Sequence, residues 1–326
     1  MPRSGADILV VAVEGTTGWR GAAQELCASL SRSGARVAVA GTGPVPNVRT
    51  FALTDFVQAR AARRACLAGL AEHDGAAVIY CSITAALLWP RPGAIWLDSL
   101  AAENRQGRHG IWQRPVERRR LEQAPLVLAM SSRSLDPTRV TPQAVEVVPV
   151  PVERSGPLPA SRELAAVTYA GNPEKKRLSF VLDAWESARR GEETLVVAGI
   201  EPLAPRPGVE FAGRLDRSAY RGLLRRARAF IAAPLREDYG IAPLEALADG
   251  CTLVTAPAPG PYPALEIARQ LDPRLVDDDL APAIRIALDD PAPGYAERAA
   301  ELLEPFSPSA VDQVVAERVL PRLLSA

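Results

Sequence analysis

Short apolar runs alternate with amphipathic segments along most of the chain. The first run, DILVVAV at Asp7–Val13, is continuous and apolar, which is typical of a strand buried on both faces of a sheet. After the loop EGTTGWRG, the segment AAQELCASLSRSG has helical apolar spacing and ends at Gly34, a residue suited to a helix C-terminus. Further strands are predicted at RVAVAG, AAVIYC, AIWLDS, LVLAM and VEVVPV, and helices near Val57–Glu72 and Ile111–Gln123. This βα series predicts a mostly parallel sheet covered by helices.

A segment rich in proline and serine interrupts the series at Pro149–Glu163, where an interdomain linker is expected. A second βα series follows, with strands AAVTYAG, TLVVAG, GVEFAG, AFIAAP and TLVTA and helices KRLSFVLDAWESARR and DRSAYRGLLRRAR. Helices are also expected near Asp279–Asp289 and Tyr295–Leu303, with a last one in SAVDQVVAERVLPRLL. We therefore predict an α/β protein with two Rossmann-like domains, residues 1–155 and 156–305, and a C-terminal helix at residues 306–326.

Composition and charge narrow the classes of function. The 326 residues suffice for two domains, and 38 basic residues balance 38 acidic ones, so the net charge favours no nucleic-acid partner. The four cysteines are widely spaced without metal-ligand spacing, which predicts buried thiols in a reducing compartment. The apolar run near the N-terminus is too short for a signal-peptide core or a membrane span. We expect a cytoplasmic protein.

Two acids with seven residues between them stand out in REDYGIAPLEALADG, Arg236–Gly250. On one continuous helix, Glu237 and Glu245 would lie about 80° apart and would not share a face. Gly240 and Pro243 predict another geometry, because glycine allows a tight turn and proline suits the first turn of a helix. Glu237 is then expected in a loop after a strand, and Glu245 in the helix that follows.

Such a loop and helix lie at the carboxyl edge of a parallel sheet, where open α/β sheets bind ligands. The free amides around Gly240 and Ile241 suit a phosphate, and ionised carboxylates accept hydrogen bonds from sugar hydroxyls. Together these groups point to a nucleotide sugar. The alternative is a solvated loop acid at Glu237 and a helix-dipole partner at Glu245.

The same segment closely resembles the E-x7-E motif of retaining glycosyltransferases, family 4 above all, whose usual form is close to EGFGLPxLEAMAxG. Residues Gly240, Glu245, Ala246, Ala248 and Gly250 match in register. The resemblance extends to TYAGNPEKKRLSFVLDAW and VEFAGRLDRSAYRGLLRRARAFIAAP, covers most of Ala165–Pro291 and is loose over the first 150 residues. It implies the GT-B fold, two Rossmann-like domains facing a cleft, with the donor mainly on the C-terminal domain and the last helix crossing back to the N-terminal domain.

The resemblance also assigns roles at the donor. Lys176 aligns with the lysine that contacts the donor diphosphate, where a fixed cation stabilises the charge that grows on the leaving group. Asn172 stands where family members often have an arginine, so a second cation is sought in Lys175, Arg177 or Arg214. A solvated lysine at the start of a helix is the alternative for Lys176.

The two acids and their neighbours complete the implied donor site. Glu245 is expected at the ribose hydroxyls, and Glu237 near the donor sugar as a catalytic residue beside Lys176. The remaining donor-binding candidates are Thr17, Gly18, Gly171, Asn172, Lys175, Arg214, Arg236, Asp238, Tyr239, Gly240 and Ile241. Of these, Thr17 and Gly18 replace the glycine-rich first loop of the family, although an ordinary βα turn explains them equally well.

The acceptor side departs from the family pattern. A histidine followed by aspartate ends the fourth strand in many relatives, whereas Leu97 and Asp98 stand here. Asp98 is therefore the acceptor-side and catalytic candidate. His109 is a second acceptor-side candidate, although a lone loop histidine is more often a surface residue.

Two charged runs have ordinary alternatives. The acids at Asp277–Asp279 superficially resemble a metal-binding DxD, but they precede a predicted helix and are expected to cap it. We predict no metal and no cofactor, the nucleotide-diphosphate sugar being a substrate. The basic run Arg114–Arg120 allows peripheral contact with anionic lipid, although a solvated helix is favoured.

The function predicted is retaining, metal-independent transfer of a sugar from a nucleotide-diphosphate sugar to a hydroxyl acceptor, whether lipid, glycan or small natural product. A GT-B nucleotide-sugar epimerase would use the same donor cleft, but it needs acid and base side chains at the sugar, and the chain has only two histidines. A non-catalytic protein that binds sugar nucleotides is the other alternative.

Overall fold

The computed structural model describes residues 5–13, 15, 17–46, 48–136 and 140–325. The chain divides into two compact units. The first unit comprises Met1–Pro151 and Pro308–Ala326, and the second comprises Val152–Ser307. No helix of the described ranges combines the length and the apolar character that crossing a bilayer requires.

The first unit is built on a six-stranded parallel sheet in the order β2-β1-β3-β4-β5-β6. Strand β1, which lies between β2 and β3, is buried at all five positions, as expected for a strand covered on both faces. The strands are β1 Ile8–Ala12, β2 Val37–Gly41, β3 Ala77–Cys81, β4 Ala94–Leu97, β5 Val127–Ala129 and β6 Val145–Val147.

Among the described residues, five α-helices precede the second unit along the chain. They are α1 Thr17–Arg32, α2 Phe51–Glu72, α3 Ile83–Ala86, α4 Ala101–Asn104 and α5 Gln113–Gln123. The short helices α3 and α4 have no counterpart among the predicted elements, because four residues hold too little periodicity to detect.

Helix α1 begins earlier than predicted, so Thr17 and Gly18 belong to its first turn and not to a loop. The helix extends to Thr17 because apolar residues recur at helical spacing from Trp19 onward. Ala22, Leu26 and Leu30 are buried along one helical face. Trp19 continues that face and packs edge-on against Trp96, with ring centroids 6.2 Å apart.

The second unit contains a five-stranded parallel sheet in the order β11-β10-β7-β8-β9. All five strands correspond to predicted ones, and the predicted α/β class with two Rossmann-like parallel sheets is confirmed. The strands are β7 Leu164–Tyr169, β8 Leu195–Ala198, β9 Val209–Gly213, β10 Ala227–Ala232 and β11 Thr252–Thr255.

The helices of the second unit include one that the sequence pattern missed. Helix α9, Pro263–Leu271, follows the proline-rich run APAPGPYP, which favours a loop when considered alone. The full set is α6 Leu178–Ala188, α7 Arg217–Arg226, α8 Ile241–Ala248, α9 Pro263–Leu271, α10 Leu280–Asp289 and α11 Tyr295–Leu302.

The end of the chain returns to the first unit. Helix α12, Pro308–Val314, continues through a π-helical turn at Val315–Val319 into α13, Leu320–Leu324. Asp312 of α12 accepts hydrogen bonds from Ser29 Oγ and Arg32 Nε of α1, both at 2.6 Å. On α13, Arg322 forms an ion pair with Glu146 of β6, which buries that carboxylate.

Candidate functional site

The candidate site lies where strand order changes direction in the second sheet. Strand β7 has β8 on one side and β10 on the other, so the loops after β7 and β10 are neighbours at the carboxyl edge. Ligands of open α/β sheets bind at such a switch point. The two loops are joined directly, since the Leu235 N–H donates to the Lys175 carbonyl at 2.9 Å.

The loop after β7 forms a turn that presents Lys176. Asn172 organises it twice: its Oδ1 accepts from the Lys175 N–H at 2.9 Å, and its carbonyl accepts from the Lys176 N–H at 3.0 Å. Arg177, a candidate for the second cation, has a left-handed backbone with φ 50° and stacks its guanidinium 3.9 Å from the Phe180 ring centroid. Its charge therefore lies over its own helix.

Lys176 and Glu237 meet in an ion pair between these loops. The Lys176 ammonium donates to Glu237 Oε2, and the exposed fractions of the two side chains are 22% and 9%. Both residues line a small pocket together with Tyr169, Ala242 and Pro243. The structure thus brings two of the predicted catalytic residues together at the start of α8, with the ammonium still partly accessible.

The backbone of Glu237 is held by a segment that sequence reasoning missed. Its N–H donates to the Pro259 carbonyl at 3.0 Å. Gly260 has φ 111°, and a Cβ there would stand 2.2 Å from the Glu237 carbonyl oxygen, so only glycine fits without displacement. The signal available in the sequence was the glycine within a proline-rich run.

Tyr262 packs against the loop that carries Glu237. Its side chain is fully buried, and its hydroxyl lies 3.0 Å from Thr255 Oγ1. Burial raises the pKa of Tyr262, and the negative charge of Glu237 adds to that shift. The ring packs so close to Gly240 that a Cβ there would lie 3.0 Å from it. Tyr262 therefore stays a neutral support for the turn into α8.

The first turn of α8 presents unsatisfied backbone amides. Gly240 precedes the helix with φ 81°, and no side chain caps the helix N-terminus by a hydrogen bond. The first amides of a helix have no intrahelical partner, and the helix dipole makes this end positive. Ile241 and Ala242 therefore offer N–H groups suited to an anion beside Lys176.

Glu245 is surrounded by cations of α7. The residue is 7% exposed, and its Oε1 lies 3.5 Å from both Arg217 Nε and Arg221 Nη1. Arg221 is itself buried, and its Nε donates to Asp249 Oδ2 at 2.6 Å. The two acids of the E-x7-E motif thus occupy different surroundings: Glu237 faces a lysine, and Glu245 faces two arginines.

A buried hydroxyl lies close to this arginine–carboxylate cluster. Tyr220 of α7 stacks edge-on against Tyr169 with centroids 5.6 Å apart, and its hydroxyl has no hydrogen-bond partner within the described ranges. Burial raises the pKa of Tyr220, with a further contribution from the charge of Glu245. A buried hydroxyl left unpaired is costly, so a polar group of a ligand would find a ready partner here.

The remaining donor-side candidates are charged residues that pair with a neighbour and other residues of the loops after β7 and β10. Arg214 has a side chain that is 77% exposed, with Nε 3.9 Å from Glu201 Oε1. Arg236 Nε donates to Asp238 Oδ1 at 2.7 Å, which neutralises both within one loop. The others are Gly171, Asn172 and Lys175, which are exposed, and Tyr239, which is buried.

The candidates from the first half of the sequence lie in the first unit. Gly18 is exposed, and Asp98 directly follows β4 at the carboxyl edge, where its Oδ1 accepts from the Ser99 N–H at 2.7 Å. His109 is exposed and packs edge-on against Phe51, with centroids 5.7 Å apart. Asp98 is thus positioned at a strand end, whereas His109 lies on the surface of the first unit.

Asp279, in the acidic run before α10, has a structural role. Asp279 caps α10 by accepting from the Ala281 N–H at 3.3 Å, which confirms the predicted cap. Within residues 5–325, leaving aside those that are not described, no cluster of three or more histidine, cysteine, aspartate or glutamate side chains could hold a metal ion.

Comparison with known proteins agrees with this architecture. Residues 164–290 match the family described as glycosyl transferases group 1. None of the curated proteins compared with the chain is significantly similar to it.

Solved structures resemble the chain over nearly its whole length. Sucrose-phosphate synthase from Thermosynechococcus elongatus has a TM-score of 0.75 at 15% identity, covering 98% of this chain and 99% of that one. WaaG, a glycosyltransferase involved in lipopolysaccharide biosynthesis, has a TM-score of 0.70 at 15% identity, covering 95% and 98%. The glycotransferase of kitacinnamycin has a TM-score of 0.65 at 18% identity, covering 98% and 99%. The chain therefore has the GT-B fold of these structures, and the glycosyl transferases group 1 match lies in its second unit.

Proposed function

We propose that the protein is a retaining, metal-independent glycosyltransferase of family 4 that moves a sugar from a nucleotide-diphosphate sugar to a hydroxyl acceptor. The observation that carries this proposal is the pairing of Lys176 with Glu237 beside the uncapped first turn of α8. A cation and free amides converge there on a place suited to a diphosphate. The neighbouring carboxylates suit sugar hydroxyls.

In this proposal Lys176 stabilises the transition state more than the bound donor. When the bond between sugar and phosphate breaks, negative charge grows on the leaving diphosphate, and a fixed cation offsets that charge. Glu237 holds the ammonium in place, and the amides of Ile241 and Ala242 add positive potential from the helix end. A divalent ion is not required for this stabilisation.

Glu245 is assigned to the ribose hydroxyls of the donor. Its carboxylate lies between Arg217 and Arg221, which orient it, and the unpartnered Tyr220 hydroxyl offers a further polar contact nearby. Asp98, at the end of β4, is assigned to the acceptor hydroxyl. The acceptor hydroxyl attacks from the face that the diphosphate leaves, and the leaving phosphate helps to accept its proton. No covalent intermediate with the protein is formed in this front-face substitution.

Release of nucleoside diphosphate in the presence of EDTA tests the site. Donor and acceptor panels should first identify a productive pair for the native protein. Lys176→Ala should then lower turnover by about a hundredfold or more, the size expected for loss of one transition-state stabiliser. Glu245→Ala should raise the KM for the donor and so lower turnover at limiting donor, because it removes a contact to the bound ribose. Arg226→Ala is the control, because Arg226 pairs with Glu163 on the surface of the same unit.

Three outcomes would contradict the proposal. Full activity of both variants would reject the site, and inhibition by EDTA that magnesium reverses would reject metal independence. Inverted anomeric configuration in the product, seen by NMR, would reject retention. Conversion of the donor without any acceptor would instead support a nucleotide-sugar epimerase.

A further inference from the structure

A cavity lined with arginine lies in the first unit, apart from the donor residues of the second. It measures about 510 Å³ and is bordered by Arg60, Arg63 and Arg64 of α2 and Arg120 of α5, which we call the arginine cavity. Arg120 stands three residues before the end of α5, and that helix leads into the amino end of β5. The cavity is therefore displaced from the carboxyl edge of the sheet, where Asp98 lies.

The four cations of the arginine cavity have no acidic partner within the described ranges. Arg60 and Arg64 make no hydrogen bond or ion pair there. Arg63 Nη1 contacts only the carbonyls of Leu88 at 3.3 Å and Trp89 at 3.4 Å. Arg120 donates to the Leu87 carbonyl at 3.1 Å and to Gln123 Oε1 at 3.0 Å. The lining contains no carboxylate, so nothing in it balances the positive charge.

This arrangement is unfavourable for the chain by itself. Arg60, Arg63 and Arg64 are exposed and spaced three and four residues apart on one helical face, where like charges repel each other. Burial lowers the pKa of Arg120, and the charges of Arg119 and Arg63 lower it further. In a chain with equal numbers of acids and bases, such an unpaired group indicates an anionic ligand.

The rest of the lining is apolar. Leu67 is 48% exposed and Leu88 is half-buried, so both present apolar surface to the cavity, whereas Trp89 is buried with the Arg120 guanidinium 4.9 Å from its ring centroid. A small inorganic anion would use the arginines and leave this wall uncovered. A ligand that is anionic at one end and apolar at the other would use both.

We propose that the arginine cavity binds the phosphate group of an amphiphile, with the guanidinium groups on the phosphate oxygens and the apolar portion on Leu67 and Leu88. Arginine suits this ligand because its planar fork donates two parallel hydrogen bonds to one phosphate. This site goes beyond the sugar transfer proposed above and does not depend on it, since no donor-side residue contributes to the cavity.

Direct binding of dodecyl phosphate below its micellar concentration, measured by calorimetry, tests the proposal. Arg60→Gln combined with Arg64→Gln should weaken binding at least about tenfold, because the double variant loses charge-assisted hydrogen bonds to the phosphate oxygens. The matched control combines Arg49→Gln with Arg118→Gln, which removes the same charge from exposed arginines outside the cavity. The control should bind like the native protein.

A second variant tests the apolar wall. Leu67→Gln should weaken dodecyl phosphate but leave the binding of inorganic pyrophosphate unchanged. Cosedimentation with phosphatidylcholine vesicles, with and without phosphatidic acid, then identifies the source. Retention that needs both phosphatidic acid and the arginines assigns a bilayer lipid, whereas binding of dodecyl phosphate without retention assigns a soluble amphiphile. The proposal is overturned if dodecyl phosphate does not bind, if the cavity and control variants bind equally, or if Leu67→Gln has no effect.

Discussion

At the scale of single residues, the candidate site depends on side chains that lie far apart in the sequence. Lys176 and Glu237 are 61 positions apart and meet because β7 and β10 are adjacent strands. The sequence marked both residues through their local motifs. It did not mark the glycine and tyrosine that hold Glu237 in place, since those act through backbone approach and burial.

Gly260→Ala should disturb the loop that carries Glu237. The new Cβ would stand 2.2 Å from the Glu237 carbonyl oxygen, so the loop must shift in addition to the strain of φ 111°. The free energy of unfolding measured in urea and the affinity for a nucleoside diphosphate should both fall. Gly191→Ala is the control, because Gly191 also has positive φ but has open space around it. Equal effects of the two substitutions would show that the close approach to Glu237 is unimportant.

Glu117 should make stability depend on pH. Burial raises the pKa of Glu117 to about 7, although the Ala101 and Ala102 N–H groups that donate to its carboxylate lower it. In the unfolded chain the group loses its proton near pH 4.5, its ordinary value. The folded state therefore retains the proton longer, and the free energy of unfolding should fall as pH rises from about 4.5 to about 7, by a few kcal/mol.

The measurement compares unfolding free energies of the native protein and Glu117→Gln across this pH range. The free energy of unfolding of the native protein, relative to that of Glu117→Gln, should fall from about pH 4.5 to about pH 7 and level off above that. Glu122→Gln, at an exposed acid of the same helix, should leave the pH dependence unchanged. A native curve parallel to that of Glu117→Gln would contradict the raised pKa.

At the scale of elements, ion pairs hold α7 against α8. Arg221 of α7 contacts Glu245 within α8 and Asp249 directly after it, and its Nη2 donates to the Glu153 carbonyl at 2.7 Å. The helical pattern predicted both helices. Their pairing was not predictable, because an arginine on an amphipathic helix is ordinarily exposed and this one is buried.

Arg221→Met should destabilise the second unit strongly. It leaves Asp249 buried without its cation, and breaking a buried pair typically costs about 3–5 kcal/mol. Arg226→Met removes an exposed ion pair from the same helix and should cost less than about 1 kcal/mol. Urea denaturation of both variants measures the difference. Similar small losses would mean that Arg221 is not needed to hold α7 against α8.

At the scale of the whole molecule, the two units differ in continuity. The second is a single stretch, Val152–Ser307, whereas the first needs Pro308–Ala326 to complete it. Val311, Val315 and Val319 of the returning segment are buried. The βα alternation predicted two sheets, and the proline-rich run predicted a linker between them, but the contacts of α12 with α1 depend on tertiary structure.

Separate fragments should therefore behave differently. Residues 152–307 alone should unfold cooperatively, because their sheet and core are contained in one stretch. Residues 1–151 alone should be much less stable than the same residues joined to 308–326 by a flexible linker, since they lose the bonds from Ser29 and Arg32 to Asp312. Thermal unfolding by circular dichroism compares them. A non-cooperative second unit, or equal stability of the two forms of the first, would contradict this expectation.

The sequence by itself determined the βα alternation and the motif around Glu237 and Glu245, because strand periodicity, turn residues and helix starts are local properties. Only the tertiary structure decided that Glu237 pairs with Lys176 and that the arginines of α2 and α5 surround one cavity. It also decided that Gly260 touches the Glu237 backbone. These are contacts between distant positions, and they depend on which strands are neighbours and how helices pack on them, which local pattern does not encode.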